Sequence, residues 1–160
     1  MAELINGTLG FPVVSVLVLR GADEILLQER WKPGDQFHRY LELPGGRLQR
    51  AESILGCARR ELEEETGLTD FQPIESIEDE ELQETVVQSL NSLVVGSVGY
   101  ETYLAVGIIG RAKGQPHRSD EARLHGWYTP TATRQLLCAH KVSPLNVPML
   151  RAFINNRGKL

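Results

Sequence analysis

Between Glu52 and Thr66 the chain has neither proline nor a β-branched run, and Gly67 stands where a left-handed C-terminal cap is expected. The spacing predicts a helix over 52–66. At 100° per residue, Ile54, Leu55 and Leu62 lie within about 60° of Ala58 and form one apolar stripe. Glu65 falls inside that stripe, about 20° from its centre, with Glu61 at the edge and Glu64 roughly 120° round. A helix that packs by this stripe must therefore turn carboxylates toward the core. Acids at i,i+3 and i,i+4 repel by a few tenths of a kcal/mol when solvated. Partly desolvated at ~5.5 Å, with an effective dielectric near 20, the repulsion is about 3 kcal/mol per pair. Glu61, Glu63, Glu64 and Glu65 also crowd the helix C-terminus, where the dipole is already negative.

Nothing downstream neutralises them. From Glu61 to Gly110 there is no Lys or Arg against twelve acids, while the rest of the chain holds all 17 bases and nine acids. The net charge of -4 conceals this split. Arg60 is the one base beside the cluster, and its fork can orient Glu61 or pair back to Glu52. A solvated acidic face is the ordinary reading of a glutamate run, but the wheel position and the wrong-end placement count against it. A bound divalent cation meets both objections, and hard oxygen ligands suit Mg²⁺ or Mn²⁺. Just upstream, the tight turn Pro44-Gly45-Gly46 can bring a main-chain carbonyl near the same helix face.

Read from Gly46, GRLQRAESILGCARRELEEETGL fits G-x5-E-x7-R-E-U-x-E-E-x-G-U, U being aliphatic, at Gly46, Glu52, Arg60, Glu61, Leu62, Glu64, Glu65, Gly67 and Leu68. Seven fixed positions, at roughly 5–8% each, coincide by chance on the order of once in 10⁸ to 10⁹ starting points. The segment resembles the signature of the Nudix hydrolases, and the preceding ELPG looks like that family's usual approach to its box. The resemblance implies an α/β fold, an α/β/α sandwich with a mixed sheet in which the box forms a catalytic loop-helix-loop. It implies one to three Mg²⁺ or Mn²⁺ ions held by Glu61, Glu64 and Glu65 with the carbonyl of Gly45, while Arg60 and Glu52 orient the ligands. The reaction implied is hydrolysis of a nucleoside diphosphate linked to another moiety, X. Water attacks phosphorus in line, and a carboxylate takes its proton. Glu61 or Glu64 can serve as that base; some relatives use a later loop, where Glu121 is best placed, ahead of Glu78, Glu80, Glu81 and Glu84.

The rest of the chain fits one domain over 1–160. FPVVSVLVLR and EILLQER read as a hairpin of strands around Gly21-Ala22-Asp23, and 31–40 as a loop. LELPGG reads as a short strand, 71–77 and YETYLAVGIIG as further strands, RAKGQPHR as a basic loop and RLHGWYT as a half-buried strand. The acidic stretch 78–90 has no clear pattern. Helices are expected from Pro130 to Leu137 and from Asn146 to Asn155. Cys57 and Cys138 form no disulfide framework and are expected as small buried hydrophobes. The four histidines lack metal-ligand spacing. There is no leader-like N-terminus and no apolar run long enough to span a bilayer, so a cytoplasmic protein without membrane partners is expected.

For the substrate, Arg30, Arg39 and Arg47 flank the site as phosphate contacts, and Trp31, Phe37 or Tyr40 can stack on a base. Identity of X is not readable from these residues. Scattered rather than striped bases argue against nucleic-acid binding. Dimers are common among the relatives implied, and the segment from Glu78 to Ser97 can serve as an exchange or interface element of a homodimer. The competing reading is a sensor that binds a nucleotide metabolite without turning it over; an intact glutamate set argues against it.

Overall fold

The apolar run from Val13 to Leu19 can bury both faces only as an inner strand covered on either side, and the chain places it so. The structure, a computed structural model, describes residues 3–5, 8–74, 76–79, 84–87, 94–98 and 101–156. Along these run β1 (Glu3–Ile5), β2 (Thr8–Arg20), β3 (Glu24–Arg30), β4 (Leu41–Glu42), β5 (Gly45–Arg47), α1 (Ile54–Thr66) and β6 (Thr69–Pro73). They continue with β7 (Ser76–Asp79), β8 (Glu84–Val87), β9 (Val94–Val98), β10 (Glu101–Lys113), β11 (Ala122–Tyr128), α2 (Pro130–Cys138) and α3 (Val147–Asn156). The main sheet has the order β11-β3-β2-β10-β6, with β1 and β5 also on β2, β4 on β3 and β9 on β10. It is mixed, because β2 and β10 run parallel while their other pairings are antiparallel.

Side chains alternate between two cores. Val14, Val16 and Val18 of β2, Leu26 of β3 and Ile108 of β10 meet Cys57, Ala58 and Leu62 of α1. On the opposite face Leu17, Leu19, Ile25, Leu27 and Ile109 meet Leu137 of α2 and Met149, Leu150, Phe153 and Ile154 of α3. This is the α/β/α sandwich that the resemblance implies.

The hairpin partners β2 and β3 share register only at Leu19↔Ile25 and Arg20↔Glu24. Beyond that the chain from 41 to 47 is laid between them: β4 pairs Gln28↔Glu42 on β3, and β5 pairs Ser15↔Gly45 on β2. LELPGG thus forms two short strands, one on each side of Pro44, whose carbonyl accepts from Val16 N at 2.7 Å. Buried Asn146 fixes the crossing, accepting from Leu43 N at 3.0 Å and donating to Ser15 Oγ at 3.2 Å.

Several expectations need correction. The strand expected over 71–77 is two strands: β6 pairs with β10 through Pro73, whereas β7 pairs with β8 in a separate two-stranded sheet. β10 continues through Lys113, so the basic loop begins later than expected. In β11 the alternation breaks at a register shift between Arg123 and Gly126, where Leu124 adopts a φ of 47° and is 68% exposed. Cys138 is exposed rather than buried; Cys57 is buried as expected. No described helix is long and apolar enough to cross a membrane. Glu75, Glu80 and Glu81 lie outside the described residues, as does much of 78–97, so the exchange element proposed from sequence is not described as a unit.

Asn146→Ala leaves the buried Leu43 N–H without its acceptor and should cost about 1–3 kcal/mol in urea unfolding. An unchanged unfolding free energy would show that the crossing is held elsewhere.

Candidate active site

Helix α1 starts where Ser53 Oγ accepts from Gly56 N at 2.9 Å and stops at Gly67, whose φ of 74° caps it. The wheel order is reproduced. Glu65 is 8% exposed, Glu61 is half-buried, and the Glu64 side chain is 59% exposed. Arg60 gathers its neighbours. Its guanidinium pairs with Glu52 at 2.8 and 3.0 Å, Glu61 at 2.7 Å and Glu64 at 3.2 Å, and it donates to Arg47 O at 3.2 Å. Both pairings foreseen for it, with Glu61 and with Glu52, are made together. Arg60 holds the Glu52 carboxyl down at about 2. Burial raises Glu61, with Glu64 and Glu121 adding to the rise against Arg60.

Glu65 has no such cation. Its Oε2 accepts from Gly45 N at 2.9 Å and from Gln28 Nε2 at 2.8 Å. Burial first, then repulsion from Glu42 and Glu61, pushes it up to about 8. The facing Glu42 is pushed up to about 7 by burial, against the pull of Arg30 and of the Gln28 amide. The loop comes this close because residues 45 and 46 are glycine. A Cβ at Gly45 would strike the Val14 carbonyl, and one at Gly46 the Glu61 carboxylate. What Gly45 offers Glu65 is its N–H. Cys57, its thiol pushed up to about 12 by burial, is a packing residue rather than a nucleophile.

These groups share a cavity of about 670 Å³. Glu42, Glu61, Glu64, Glu65 and Glu121 line it, together with Arg30, Lys32, Arg47, Phe37, Ser143 and Asn146. Arg30 is bidentate on Asp35, at 3.2 and 2.9 Å, and lies 3.5 Å from Glu42. Glu121 is paired with Lys32 at 2.6 Å, and its carbonyl accepts from Trp31 N at 2.8 Å.

Of the residues expected from sequence, Glu61, Glu64, Glu65, Gly45, Glu121, Arg30, Arg47 and Phe37 line the cavity, with Arg60 and Glu52 behind the glutamates. Arg39 does not line it: its backbone closes the loop at a φ of 69°, and its side chain turns out to Glu29 at 3.7 Å. Tyr40 stands edge-on to Phe37 and lines a separate groove with Leu137 and Val147. Trp31 is already stacked under Arg123, 3.8 Å from its ring centroid, and against His38. Gln28, Lys32 and Glu42 were missed. The polar Gln28 within the apolar EILLQER was the available signal for the first, and nothing marks Lys32.

Among the described residues no three His, Cys, Asp or Glu side chains already converge tightly enough to hold an ion. The donor chemistry nonetheless suits a hard divalent cation: hard carboxylate oxygens share one cavity, Glu65 lacks a basic partner, and the buried Gln28 Oε1 has no donor. Holding one requires Glu61 and Glu64 to be released in part from Arg60.

A family model described as NUDIX domain matches residues 11–148. Among solved structures, the chain is similar to the ORF135 protein of E. coli, with 20% identity, a TM-score of 0.69, and 97% of this chain and 96% of that one covered. It is also similar to the MutT protein of Methanosarcina mazei Go1, with 18% identity, a TM-score of 0.71, and 94% and 96% covered. A NUDIX hydrolase from Nitrosomonas europaea gives 22% identity, a TM-score of 0.69, and 92% and 90% covered. At these identities the likeness is one of fold. No curated protein sequence matches the chain. The chain belongs to the NUDIX domain family, whose members generally hydrolyse pyrophosphate linkages with divalent metal ions, and its enzyme class is that of a Nudix pyrophosphohydrolase.

Two outcomes follow from the geometry. In metal-free protein, Glu65 and Glu42 retain protons at pH values where the unfolded chain, titrating near 4.5, has lost them, so stability falls as pH rises from about 5 to about 8. Glu52 acts in the opposite sense, its contribution being lost as pH falls from about 4.5 to about 2. Urea unfolding in chelator across pH 5–8 checks this, and constant or rising stability would contradict it. Gly46→Ala should displace Glu61 and reduce turnover on the order of 10²-fold, and steady-state kinetics that match the wild type would contradict the close packing.

Proposed function

We propose that this protein hydrolyses the diphosphate linkage of a nucleoside diphosphate joined to another moiety X, by in-line attack of water on phosphorus with one to three Mg²⁺ or Mn²⁺ ions. The observation that carries the reading is the cavity itself, where Glu61, Glu64, Glu65 and Glu121 face the same space as Arg30, Lys32 and Arg47. A wall of carboxylates alone would repel a diphosphate, and a wall of bases alone would have no use for metal.

Glu61, Glu64 and Glu65, with the carbonyl of Gly45, would hold the ions. Bound there, divalent ions supply charge neutralisation of the diphosphate and lower the pKa of the attacking water. Arg60 and Glu52 keep the Glu61 and Glu64 side chains on the cavity side of α1. Arg47 and Lys32 meet phosphate oxygens, while Arg30, already spent on Asp35 and Glu42, shapes the wall more than it binds. Phe37 offers a ring to the base. Glu121 accepts the water proton; Lys32, 2.6 Å away, holds its carboxylate in place until phosphate competes for the ammonium.

A panel of nucleotide sugars, dinucleotides and nucleoside triphosphates with Mg²⁺ or Mn²⁺ should release nucleotide or phosphate from at least one class. Release from none would favour a metabolite sensor with the same fold. Glu64→Gln should lower turnover by orders of magnitude, and Glu121→Gln about 10²–10⁴-fold. Wild-type kcat in Glu121→Gln would return the base to the helix.

A further inference from the structure

Gln28 is fully buried in the middle of β3, directly after the buried apolar run Ile25-Leu26-Leu27. A buried carboxamide is not what a sheet core asks for. Its Oε1 has no hydrogen-bond partner, an unpaired buried group that a Leu or Met of similar size would avoid. What the amide does achieve is contact with Glu65, 37 residues on, through Nε2 at 2.8 Å. Gly45 N takes the same oxygen at 2.9 Å, so both bonds fall on Oε2 and neither uses Oε1. Across the strand pair Gln28 is in register with Glu42, whose carboxyl its amide helps to hold down against burial. One side chain thus sits between two buried carboxyl groups.

The chemistry of the donor matters. Lys or Arg at this position would orient Glu65 equally well but would cancel its charge and leave a cation nothing to bind. A neutral amide fixes the carboxylate and keeps the charge.

We propose that Gln28 is a positioning residue of the cation site: together with Gly45 N–H it locks the rotation of the Glu65 carboxylate on Oε2, so that Oε1 is the oxygen presented to a divalent ion. This rests on the reading of Glu65 as a cation ligand given above. Partners that orient metal-binding side chains are typically worth 10–100-fold in affinity.

The test uses Mn²⁺ alone, titrated calorimetrically into the full-length metal-free protein. Gln28→Met should bind Mn²⁺ 10–100-fold more weakly than the wild type, with a metal-free unfolding midpoint that is unchanged or raised. Gln28→Asn, which keeps a buried amide but is one methylene too short, should show the same loss and serves should the Met variant fold poorly. In a Glu65→Gln background Gln28→Met should weaken Mn²⁺ binding no further, whereas a merely structural role would add its own effect. Gln28 variants that bind within twofold of the wild type, while Glu65→Gln is impaired, overturn the proposal and leave the cation site standing. A wild type that binds no Mn²⁺, or a Glu65→Gln variant that binds like it, overturns both.

Discussion

A carboxylate buried beside a second carboxylate, with only neutral N–H donors on it, is the constraint around which this molecule is arranged. Glu65 is placed there by helical geometry: it shares the apolar stripe of α1 that packs on β2, so it cannot be solvated unless that core opens. The bonds from Gly45 and Gln28 do not offset burial and the nearby Glu42 and Glu61 charges, and the group is pushed up to about 8. Its neighbours on the helix are treated differently, because Arg60 reaches Glu52, Glu61 and Glu64 but makes no bond to Glu65.

The sheet serves that placement. Because β2 and β3 keep register for only two residue pairs, the loop carrying Gly45 and Gly46 can lie between them and touch the carboxylates of α1 from below. Asn146, from the turn before α3, ties the crossing to the opposite layer. The same opening forms the cavity, so the packing that gathers the carboxylates also opens the space in front of them. On its far side β11 continues the sheet from β3, and Glu121, just ahead of β11, reaches back to Lys32 at the end of β3.

How much of this was legible beforehand depended on whether the signal was local. The helix and its Gly67 cap follow from neighbouring residues, and wheel arithmetic recovers the depth order of Glu65, Glu61 and Glu64; the Ser53 cap, which starts the helix two residues later than expected, was not read. The two-sided burial of 13–19 was equally plain from its β-branched run. Gln28 was marked only as a polar residue within EILLQER, and Glu42 not at all; their role comes from cross-strand register set by a loop crossing that no local pattern encodes. Arg39, Tyr40 and Trp31 were chosen by proximity in sequence. A left-handed φ, a neighbouring ring and a cation over the indole turn them to other duties.

On the proposed reading, a divalent cation resolves the strain of burying Glu65. Unfolding midpoints of the wild type and Glu65→Gln, each at pH 8 with chelator and with saturating Mn²⁺, test it most directly. A crossing is expected: without metal the Gln variant is the more stable, since it buries no charge, and with Mn²⁺ the wild type overtakes it through ligand-linked stabilisation. If Mn²⁺ moved both midpoints equally, or neither, Glu65 would be a buried acid with no part in holding metal.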